Sequence, residues 1–455
     1  MGELVERWNR YWFRPAPLIN LAICRILIVG VQLSVLIGSD YHNYNRLYEL
    51  SGLPDILYDP LPVLRVFLWP FGWMYRPPFE VLVATYGISL AAGVLALVGF
   101  KTRFSLSAFA VANLFLQSFS YSFHEYHHPE ALMMIALSLL AIGPAGAVLS
   151  ADDLWRRVRA NSSRRRFAAS ANILGETSAF ARWPLLQVQW LLALVYLAAA
   201  TSKLGAAGFD WMNGYTLQYY ILRDGLRWSD VGVWVAHQSS LVWWSSWITI
   251  LFEGTFFAVL IFPVLSWLYI PLGLAFHTGI YLTMGAFFFQ FIVIYSVFIP
   301  WAHMLEALSR RIVWLRPGKQ LEVFFDGQCP LCIRSMTILS YFDWFDSIVL
   351  TDLETGWSRL APSHPKISLE DCRREMHLLL PGGSVQKGFF AFREILWRLP
   401  PLWPLLVLFY LPLAATIGPS LYRWIASLRS RLQPRMLETC SAHCGVKLSG
   451  NGYRR

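Results

Sequence analysis

The chain is 455 residues long and 56% hydrophobic, and only 15% of its residues are charged, whereas soluble domains carry about 25%. Together with a mean hydropathy of +0.44, this composition excludes an ordinary soluble protein and indicates a membrane protein. The net charge of +10 comes without an aromatic and basic recognition motif, so it indicates loops beside anionic lipid and no nucleic-acid partner. Six cysteines in so long a chain do not make a disulfide scaffold.

Eight apolar runs occupy the first two thirds of the chain, each long enough to cross about 30 Å of hydrocarbon as a helix. They are residues 18–38, 80–99, 104–123, 130–149, 184–203, 241–262, 264–284 and 286–305. We therefore predict a polytopic α-helical membrane bundle of about eight spans over residues 1–310, with the lipid bilayer as its partner.

Lysine and arginine residues predict the orientation of this bundle, since loops rich in them stay on the cytoplasmic side. With eight spans, the N-terminal arm, the loop around Lys101, the arginine-rich loop 156–182 and the segment after residue 306 all fall on one face. We expect the N-terminus and the C-terminal domain to be cytoplasmic in a multi-pass protein of the cell membrane, such as a bacterial inner membrane.

The sequence changes character near residue 318, where apolar runs shorten and charges mix. The strand-like segments LEVFFD and SIVLTDL enclose CIRSMTILSYF, which has helical spacing; EMHLLLPGG then predicts a third strand and KGFFAFREILWRL a second helix. This β-α-β…β-α order predicts a small α/β sandwich domain over residues 318–432, followed by a tail, 433–455.

Cys329 and Cys332 form a C-x-x-C pair between the first of these strands and the first helix. A helix N-terminus carries unpaired N–H groups and partial positive charge, so Cys329 would ionise more easily there, and Cys332 could resolve a mixed disulfide. Two alternatives are a structural pair of thiols and a zinc site completed by Cys440, His443 and Cys444, whose distance along the chain is unlike common zinc spacings. We predict a redox-active pair and no metal.

Three blocks in order, FFDGQCPLC, LLLPGGSVQKGFFAFREILWRLP and LPLAATIGPSLYRWIASLRSRL, resemble the DCC family of thiol-disulfide oxidoreductases over residues 318–432. The resemblance implies a thioredoxin-like fold, with Cys329 as the attacking thiolate, Cys332 as the resolving thiol and Asp326 as an auxiliary residue. Unlike thioredoxin, the chain has Glu375 and no proline before the third strand, so the resemblance does not imply docking of a substrate peptide.

Polar residues at membrane depth are costly, so they indicate candidate sites. Those in the predicted spans or at their ends are Arg25, His124, His127, His128, Glu130, Lys203, Glu253 and His277. Structural explanations compete with functional ones, since Arg25 could bond backbone carbonyls, Lys203 could extend to the membrane surface and His277 could be a satisfied hydrogen-bond partner. The histidines near residue 127 have no evident metal-ligand geometry.

The stretches QWLLALVYLAAATSKLGAAGFDWMNGYTLQYY and LGLAFHTGIYLTMGAFFFQFIVIYSVFIPW resemble the horizontally transferred transmembrane domain, which is related to vitamin K-dependent γ-glutamyl carboxylase. The resemblance implies that Lys203 is a base candidate towards a quinone, with His128 and His277 as candidates beside it. The chain departs from the carboxylase at Ser202, where a second lysine would stand, and has no counterpart of its large lumenal domain. Glutamate carboxylation is therefore not expected, whereas a quinone or lipid pocket is compatible with the resemblance.

These observations lead to one functional hypothesis and two alternatives. The first is a membrane-bound thiol-disulfide oxidoreductase whose membrane domain holds a quinone or a hydrophobic substrate, with an unspecified thiol client and electron donor. The alternatives are a carboxylase-like enzyme acting through Lys203, and a non-enzymatic export, maturation or immunity protein with a redox sensor. No cofactor is firmly implied, and a quinone is the one that the first hypothesis allows.

The apolar segment 401–425 contains Pro404 and Pro412, which favour a helix docked on the membrane domain over a ninth span.

Overall fold

The computed structural model describes residues 2–38, 43–124, 128–162, 172–286, 288–312, 319–365 and 367–427. The chain forms two compact units. The first comprises Met1–Asp152 and Thr177–Trp301, and the second comprises Asp153–Glu176 and Ala302–Arg455.

The first unit is helical apart from one short antiparallel pair of strands, Ala16–Pro17 and Thr177–Ser178. Its α-helices are Gly2–Phe13, Leu18–Gly38, Tyr44–Ser51, Pro62–Leu68, Phe79–Val98, Thr102–Tyr121, His128–Ile142, Arg182–Ala207, Tyr215–Gly225, Asp230–Ala236, Ser239–Thr255, Ala258–Ile261, Ser266–Met284 and Phe289–Ile294. Two further helices, Ala151–Ser162 and Trp301–Arg311, run from the end of a first-unit segment into the second unit.

Within the described residues, five segments are long and apolar enough to cross a membrane, or up to seven if each of two bent helix pairs counts as one span. The five are Leu18–Gly38, Phe79–Val98, Arg182–Asn213, Ser239–Ile261 and Pro263–Met284. The prediction of a membrane protein is therefore supported, whereas the predicted number of about eight spans is not confirmed.

The three remaining predicted spans differ from straight apolar helices for local reasons. Thr102–Tyr121 is a helix of 20 residues, but its serine, asparagine and glutamine residues lower its hydropathy. The helix His128–Ile142 stops short of residue 149 because Gly143 and Pro144 follow it. The predicted run 286–305 is broken, with a bend of 76° between Phe289–Phe298 and Trp301–Arg311.

A chain of buried polar side chains explains how Thr102–Tyr121 fits into an apolar core. Asn113 accepts a hydrogen bond of 2.9 Å from Gln32 Nε2, and its own Nδ2 donates to Ser89 Oγ at 2.9 Å. All three residues are buried. Since an unsatisfied amide in an apolar interior is costly, this network ties three helices together in one arrangement.

The second unit contains a small mixed sheet, whose elements we number from its first strand. They are β1 (Leu321–Phe325), α1 (Pro330–Phe342), β2 (Ile348–Asp352), α2 (Leu353–Ser363), α3 (Leu369–Arg374), β3 (His377–Leu379), β4 (Val385–Lys387), α4 (Gly388–Arg398), α5 (Trp403–Phe409) and α6 (Ala414–Ser427). The predicted β-α-β order is present, and β4 is an additional strand within the segment read as a turn and helix.

The sheet has the order β2-β1-β3-β4, in which β1 and β2 are parallel and the other neighbours are antiparallel. Side chains of β1 alternate between two layers of helices. Leu321, Val323 and Phe325 pack with α1 and α4, whereas Phe324 packs with α2 and α3 on the other face. The strand that leads into the cysteine pair is thus buried from both sides.

The far end of α1 is held by Asp343, whose carboxylate accepts hydrogen bonds from the backbone N–H groups of Ser347 at 2.7 Å and Ile348 at 3.0 Å. Burial raises the pKa of this carboxyl from 3.8 to about 6, although the two N–H groups oppose the shift. The carboxyl group of Asp343, which fixes the loop between α1 and β2, therefore titrates in mildly acidic solution.

The raised pKa of Asp343 predicts a pH-dependent stability. The folded chain holds a proton on this group between pH 3.8 and about 6 that the unfolded chain has lost. The contribution of the group is therefore fully present below that window and is lost as the pH rises through it. The test is the melting temperature of Asp343→Asn minus that of the unsubstituted protein. We expect this difference to increase from pH 4.5 to pH 7, and a constant difference would contradict the raised pKa of Asp343.

Candidate functional site

The cysteine pair lies where β1 ends and α1 begins. Cys329 is the N-cap of α1, with extended backbone angles, and Pro330 is the first helical residue. The Cys329 Sγ atom accepts the backbone N–H of Cys332 at 3.4 Å, and its carbonyl accepts the N–H of Ile333 at 2.9 Å. The sulfur therefore takes the place that a serine or aspartate oxygen occupies at an ordinary helix N-terminus.

The turn before Cys329 is shaped by two carboxylates. Asp326 Oδ1 accepts the N–H of Gln328 at 3.0 Å, while the Asp326 carbonyl accepts the N–H of Cys329 at 3.2 Å. Gly327 donates its N–H to Asp352 Oδ1 at 3.1 Å, and a Cβ at this position would clash with the Asp352 carboxylate. The glycine at position 327 thus allows the turn to lie close to the Asp352 side chain at the end of β2.

The two cysteines, both present as thiols, differ in accessibility. Cys329 is 4% exposed, whereas Cys332 is half-buried and lines a cavity of about 590 Å³. The sequence leads us to expect Cys329 as the attacking sulfur, yet Cys332 is the member of the pair in the cavity wall.

The cavity is enclosed by the cysteine turn, α1, α4 and the bent pair α5–α6. Its lining residues include Phe389 and Phe392 of α4, Leu408 of α5, and Ile417 and Leu421 of α6. Phe409 stacks on Phe389 with ring centroids 5.4 Å apart, which fixes α5 against α4. Sequence reasoning missed this cavity, although the apolar character of residues 401–425 was the signal for one of its walls.

The bent pair is part of the second unit and is not one straight span. Its two halves, Pro400–Phe409 and Ala414–Ser427, meet at 108°. Gly418 lies directly against the Phe389 ring, where a Cβ would clash. The absence of a side chain at Gly418 therefore lets α6 pack closely on α4.

A third cysteine, Cys372 of α3, also lines the cavity. It is 1% exposed, and burial raises the pKa of its thiol to about 11. Cys372 is therefore a neutral thiol at pH 7.

Met376 stands where the third strand begins, and its backbone groups are both in use. Its N–H donates to the Tyr422 hydroxyl at 3.1 Å, and its carbonyl accepts the N–H of Gly388 at 3.0 Å. Sequence reasoning missed Tyr422, which comes from α6, 46 residues further along the chain. A polypeptide client would find neither backbone group open for strand pairing.

In the first unit, the Lys203 ammonium forms an ion pair with Glu253, with Nζ–O distances of 2.8 and 2.6 Å. Glu253 is 5% exposed, and the Lys203 Nζ atom also lies 5.6 Å from the centre of the Trp211 ring. The structure thus joins in one ion pair two residues that were predicted separately.

His277 and Arg25 each have polar partners in the core. His277 Nε2 lies 2.8 Å from the Tyr196 hydroxyl, which also bonds the hydroxyl of Tyr295. Arg25 is fully buried and donates to the Leu149 carbonyl. The arginine fits the structural explanation considered above, since it bonds a backbone carbonyl group. The histidine fits it only in part, because its Nδ1 atom is buried with no hydrogen-bond partner among the described residues.

Other predicted positions are described only in part. His128 begins the helix His128–Ile142, but its side chain, like all of His127, lies outside the described residues. The zinc candidates Cys440, His443 and Cys444 also lie outside them. Among the side chains that the structure does describe, no group of three or more His, Cys, Asp or Glu residues could hold a metal ion.

The ion pair between Lys203 and Glu253 predicts an asymmetric effect of substitution. Lys203→Ala leaves the buried Glu253 carboxylate without its cation and should lower the free energy of unfolding by about 3 kcal/mol. Adding Glu253→Gln should recover most of that loss, because the buried charge is then gone. Thermal unfolding in lipid nanodiscs measures both; a double variant no more stable than Lys203→Ala alone would contradict the pairing.

The comparisons with known proteins concern the second unit. Residues 323–435 match the family of DCC1-like thiol-disulfide oxidoreductases, whereas no curated protein and no solved structure matches the chain. The match includes Asp326, both cysteines and the walls of the cavity, and it confirms the C-terminal part of the resemblance. The resemblance proposed for residues 1–310 lies outside the match and stays a prediction. Residues 323–435 are therefore similar to DCC1-like thiol-disulfide oxidoreductases, in a chain that also has several helices apolar enough to cross a membrane.

Proposed function

We propose that the protein is a membrane-bound thiol-disulfide oxidoreductase whose chemistry is carried by Cys329 and Cys332. The observation that carries this proposal is the position of Cys329 as N-cap of α1, with its sulfur accepting the N–H of Cys332, inside a region that matches an oxidoreductase family. A thiolate at this position gains from the amide dipoles of the first helical turn, which lowers the cost of ionisation.

The reaction follows from two sulfurs one helical turn apart. In the proposed order, the Cys329 thiolate attacks one sulfur of a client disulfide; that S–S bond breaks, a mixed disulfide forms and the first client thiol leaves with a proton. Cys332 then attacks Cys329, which closes the Cys329–Cys332 disulfide and releases the second client thiol. Two electrons and two protons pass to the client, and the reverse sequence oxidises a dithiol.

Asp326 acts as a positioning residue in this proposal. Its side chain fixes the turn through the N–H of Gln328, and its carbonyl accepts the N–H of Cys329, so the turn places the first cysteine at the helix end. The thioredoxin-like fold implied by the family agrees with a parallel β1-β2 pair whose connecting helix carries the cysteines.

The first unit has the proposed role of holding the enzyme in the membrane and presenting a hydrophobic substrate. We retain the horizontally transferred transmembrane domain as its proposed family, a cytoplasmic second unit as its proposed topology, and a quinone as the proposed ligand of the first unit. Buried hydroxyl and imidazole groups of Tyr196, His277 and Tyr295, surrounded by aromatic rings such as Phe291, would suit the polar head of such a molecule.

A carboxylase-like enzyme acting through Lys203 is the second candidate. Its motivation is the lysine at the edge of an apolar helix bundle, but both oxygens of the Glu253 carboxylate hold the Lys203 nitrogen, at 2.8 and 2.6 Å. The double variant Lys203→Ala/Glu253→Gln separates the candidates. An oxidoreductase keeps its thiol chemistry in this variant, whereas a lysine-dependent enzyme stops consuming reduced quinone.

The proposed redox function predicts a reversible two-electron couple. Purified protein titrated between reduced and oxidised glutathione should lose and regain two alkylatable thiols, Cys329 and Cys332, in one step. Cys329→Ser should abolish the couple, and Cys372→Ser should leave it unchanged because that thiol is buried and neutral. A pair that titrates but never turns over a disulfide would instead indicate a redox sensor.

Trapping tests the order of the two cysteines. Cys332→Ser should hold a client as a stable mixed disulfide on Cys329, and mass spectrometry identifies the client and the bonded residue. An adduct that accumulates only in Cys329→Ser, on Cys332, would reverse the assigned roles, while the absence of adducts from both variants would remove the proposed function.

A further inference from the structure

The cavity beside Cys332 points to the chemical class of the client. We propose that the thiol pair acts on a small, lipid-soluble disulfide that binds in this cavity, and not on an extended polypeptide. The inference rests on the proposed redox function and adds to it the substrate class. Its support comes from the lining of the cavity, the occupied backbone of β3 and the nature of the bent pair.

The lining of the cavity is almost entirely apolar. Its polar side chains are those of Asp326, Ser335, Tyr422 and the cysteines Cys332 and Cys372; the other lining residues are aliphatic or aromatic side chains and one glycine. A volume of about 590 Å³ lies within the range of small-molecule sites, which combine apolar walls with a few polar groups. A reactive sulfur in such a wall selects for a client that is apolar around its own sulfur atoms.

The backbone next to the cysteines is closed to peptides. A chain that docks by strand addition needs open N–H and C=O groups along the edge that it joins. At Met376 the N–H is bound by the Tyr422 hydroxyl and the C=O by the N–H of Gly388. Tyr422 of α6 also lines the cavity. The helix that completes the apolar cavity therefore also occupies the Met376 N–H, which a docked peptide would need.

The bent pair explains how an apolar client reaches the cavity. Together its halves are as apolar as a membrane-spanning helix. Several lining residues are also widely exposed, including Leu408 at 60% and Leu421 at 51%, so they form the mouth of the cavity. In this proposal the exposed apolar surface lies against lipid, and a lipid-dissolved molecule enters the cavity from there.

The reaction balances with the cavity ligand as the disulfide. A thiolate of the Cys329–Cys332 pair attacks a ligand sulfur, the ligand S–S bond breaks and one alkyl thiol leaves with a proton. The second cysteine then displaces the other alkyl thiol as the protein disulfide forms. The protein loses two electrons and two protons, and the ligand gains them.

The test compares two primary alkyl disulfides and one protein disulfide in a single turnover. Fully reduced protein in phosphatidylcholine nanodiscs is mixed with dihexyl disulfide, bis(2-hydroxyethyl) disulfide or insulin, and formation of the Cys329–Cys332 disulfide is followed by quenched alkylation and mass spectrometry. We expect dihexyl disulfide to react at least about tenfold faster than the hydroxyethyl compound, since each buried methylene favours binding. Insulin should react more slowly than either.

A matched pair of variants separates the cavity from simple partitioning into lipid. Leu408 lines the cavity, whereas its neighbour Val407, 67% exposed, does not. Leu408→Asp should lower the ratio of the dihexyl to the hydroxyethyl rate at least about fivefold by placing a charge in the mouth, and Val407→Asp should change it less than about twofold. Leu421→Asp and its control Trp424→Asp repeat the comparison on α6.

The outcomes distinguish this inference from the function on which it rests. A far-UV circular dichroism spectrum and a glutathione titration of the Cys329–Cys332 couple that match those of the unsubstituted protein show that a variant is folded with a working cysteine pair. Equal ratios in Leu408→Asp and Val407→Asp, or faster reduction of insulin than of dihexyl disulfide, overturn the apolar client and leave the oxidoreductase intact. Failure of the unsubstituted protein to reduce any of the three disulfides overturns both.

Discussion

The start of α1 at Cys329 is the constraint on which the proposed chemistry of the protein depends. A buried strand ends at Phe325, an Asp-Gly turn reverses the chain against Asp352, and the next helix opens with a cysteine as its cap. The sulfur itself accepts an amide N–H of the first helical turn, so the contact that caps the start of the helix is also the one that would favour negative charge on the sulfur. In the proposed function, local folding and reactivity thus share one hydrogen bond.

Much of the second unit could be predicted from residue patterns, because its signals are local. Strand-like LEVFFD, the turn at Gly327 and the helical spacing after Pro330 are all read within about ten residues, and the structure has these elements in that order. The cavity could not be predicted, since it depends on contacts such as Phe389 with Phe409 and Met376 with Tyr422, which join distant parts of the chain. The difference in burial between Cys329 and Cys332 could not be predicted for the same reason.

The first unit shows a different limit of sequence reasoning. Hydropathy predicts the position of an apolar helix well where the helix is uninterrupted, as in Leu18–Gly38. It carries no information about a bend within an apolar run, such as the one between Phe289–Phe298 and Trp301–Arg311. Individual polar residues were recognised without their partners. Lys203 and Glu253 lie 50 residues apart in the chain, so only the packed bundle makes them a pair, and that pair changes how the lysine can act.

The three contacts made by α6 have a consequence for any shortened form of the second unit. This helix closes the cavity, rests its glycine on Phe389 and supplies the hydroxyl that satisfies Met376. A soluble fragment cut before residue 400 would keep the sheet and both reactive sulfurs, yet it would expose two phenylalanines of α4 and open a backbone donor. Such a fragment would aggregate more readily and would leave the Met376 N–H open to peptides. Under the proposed function, its substrates in vitro would therefore differ from those of the whole chain.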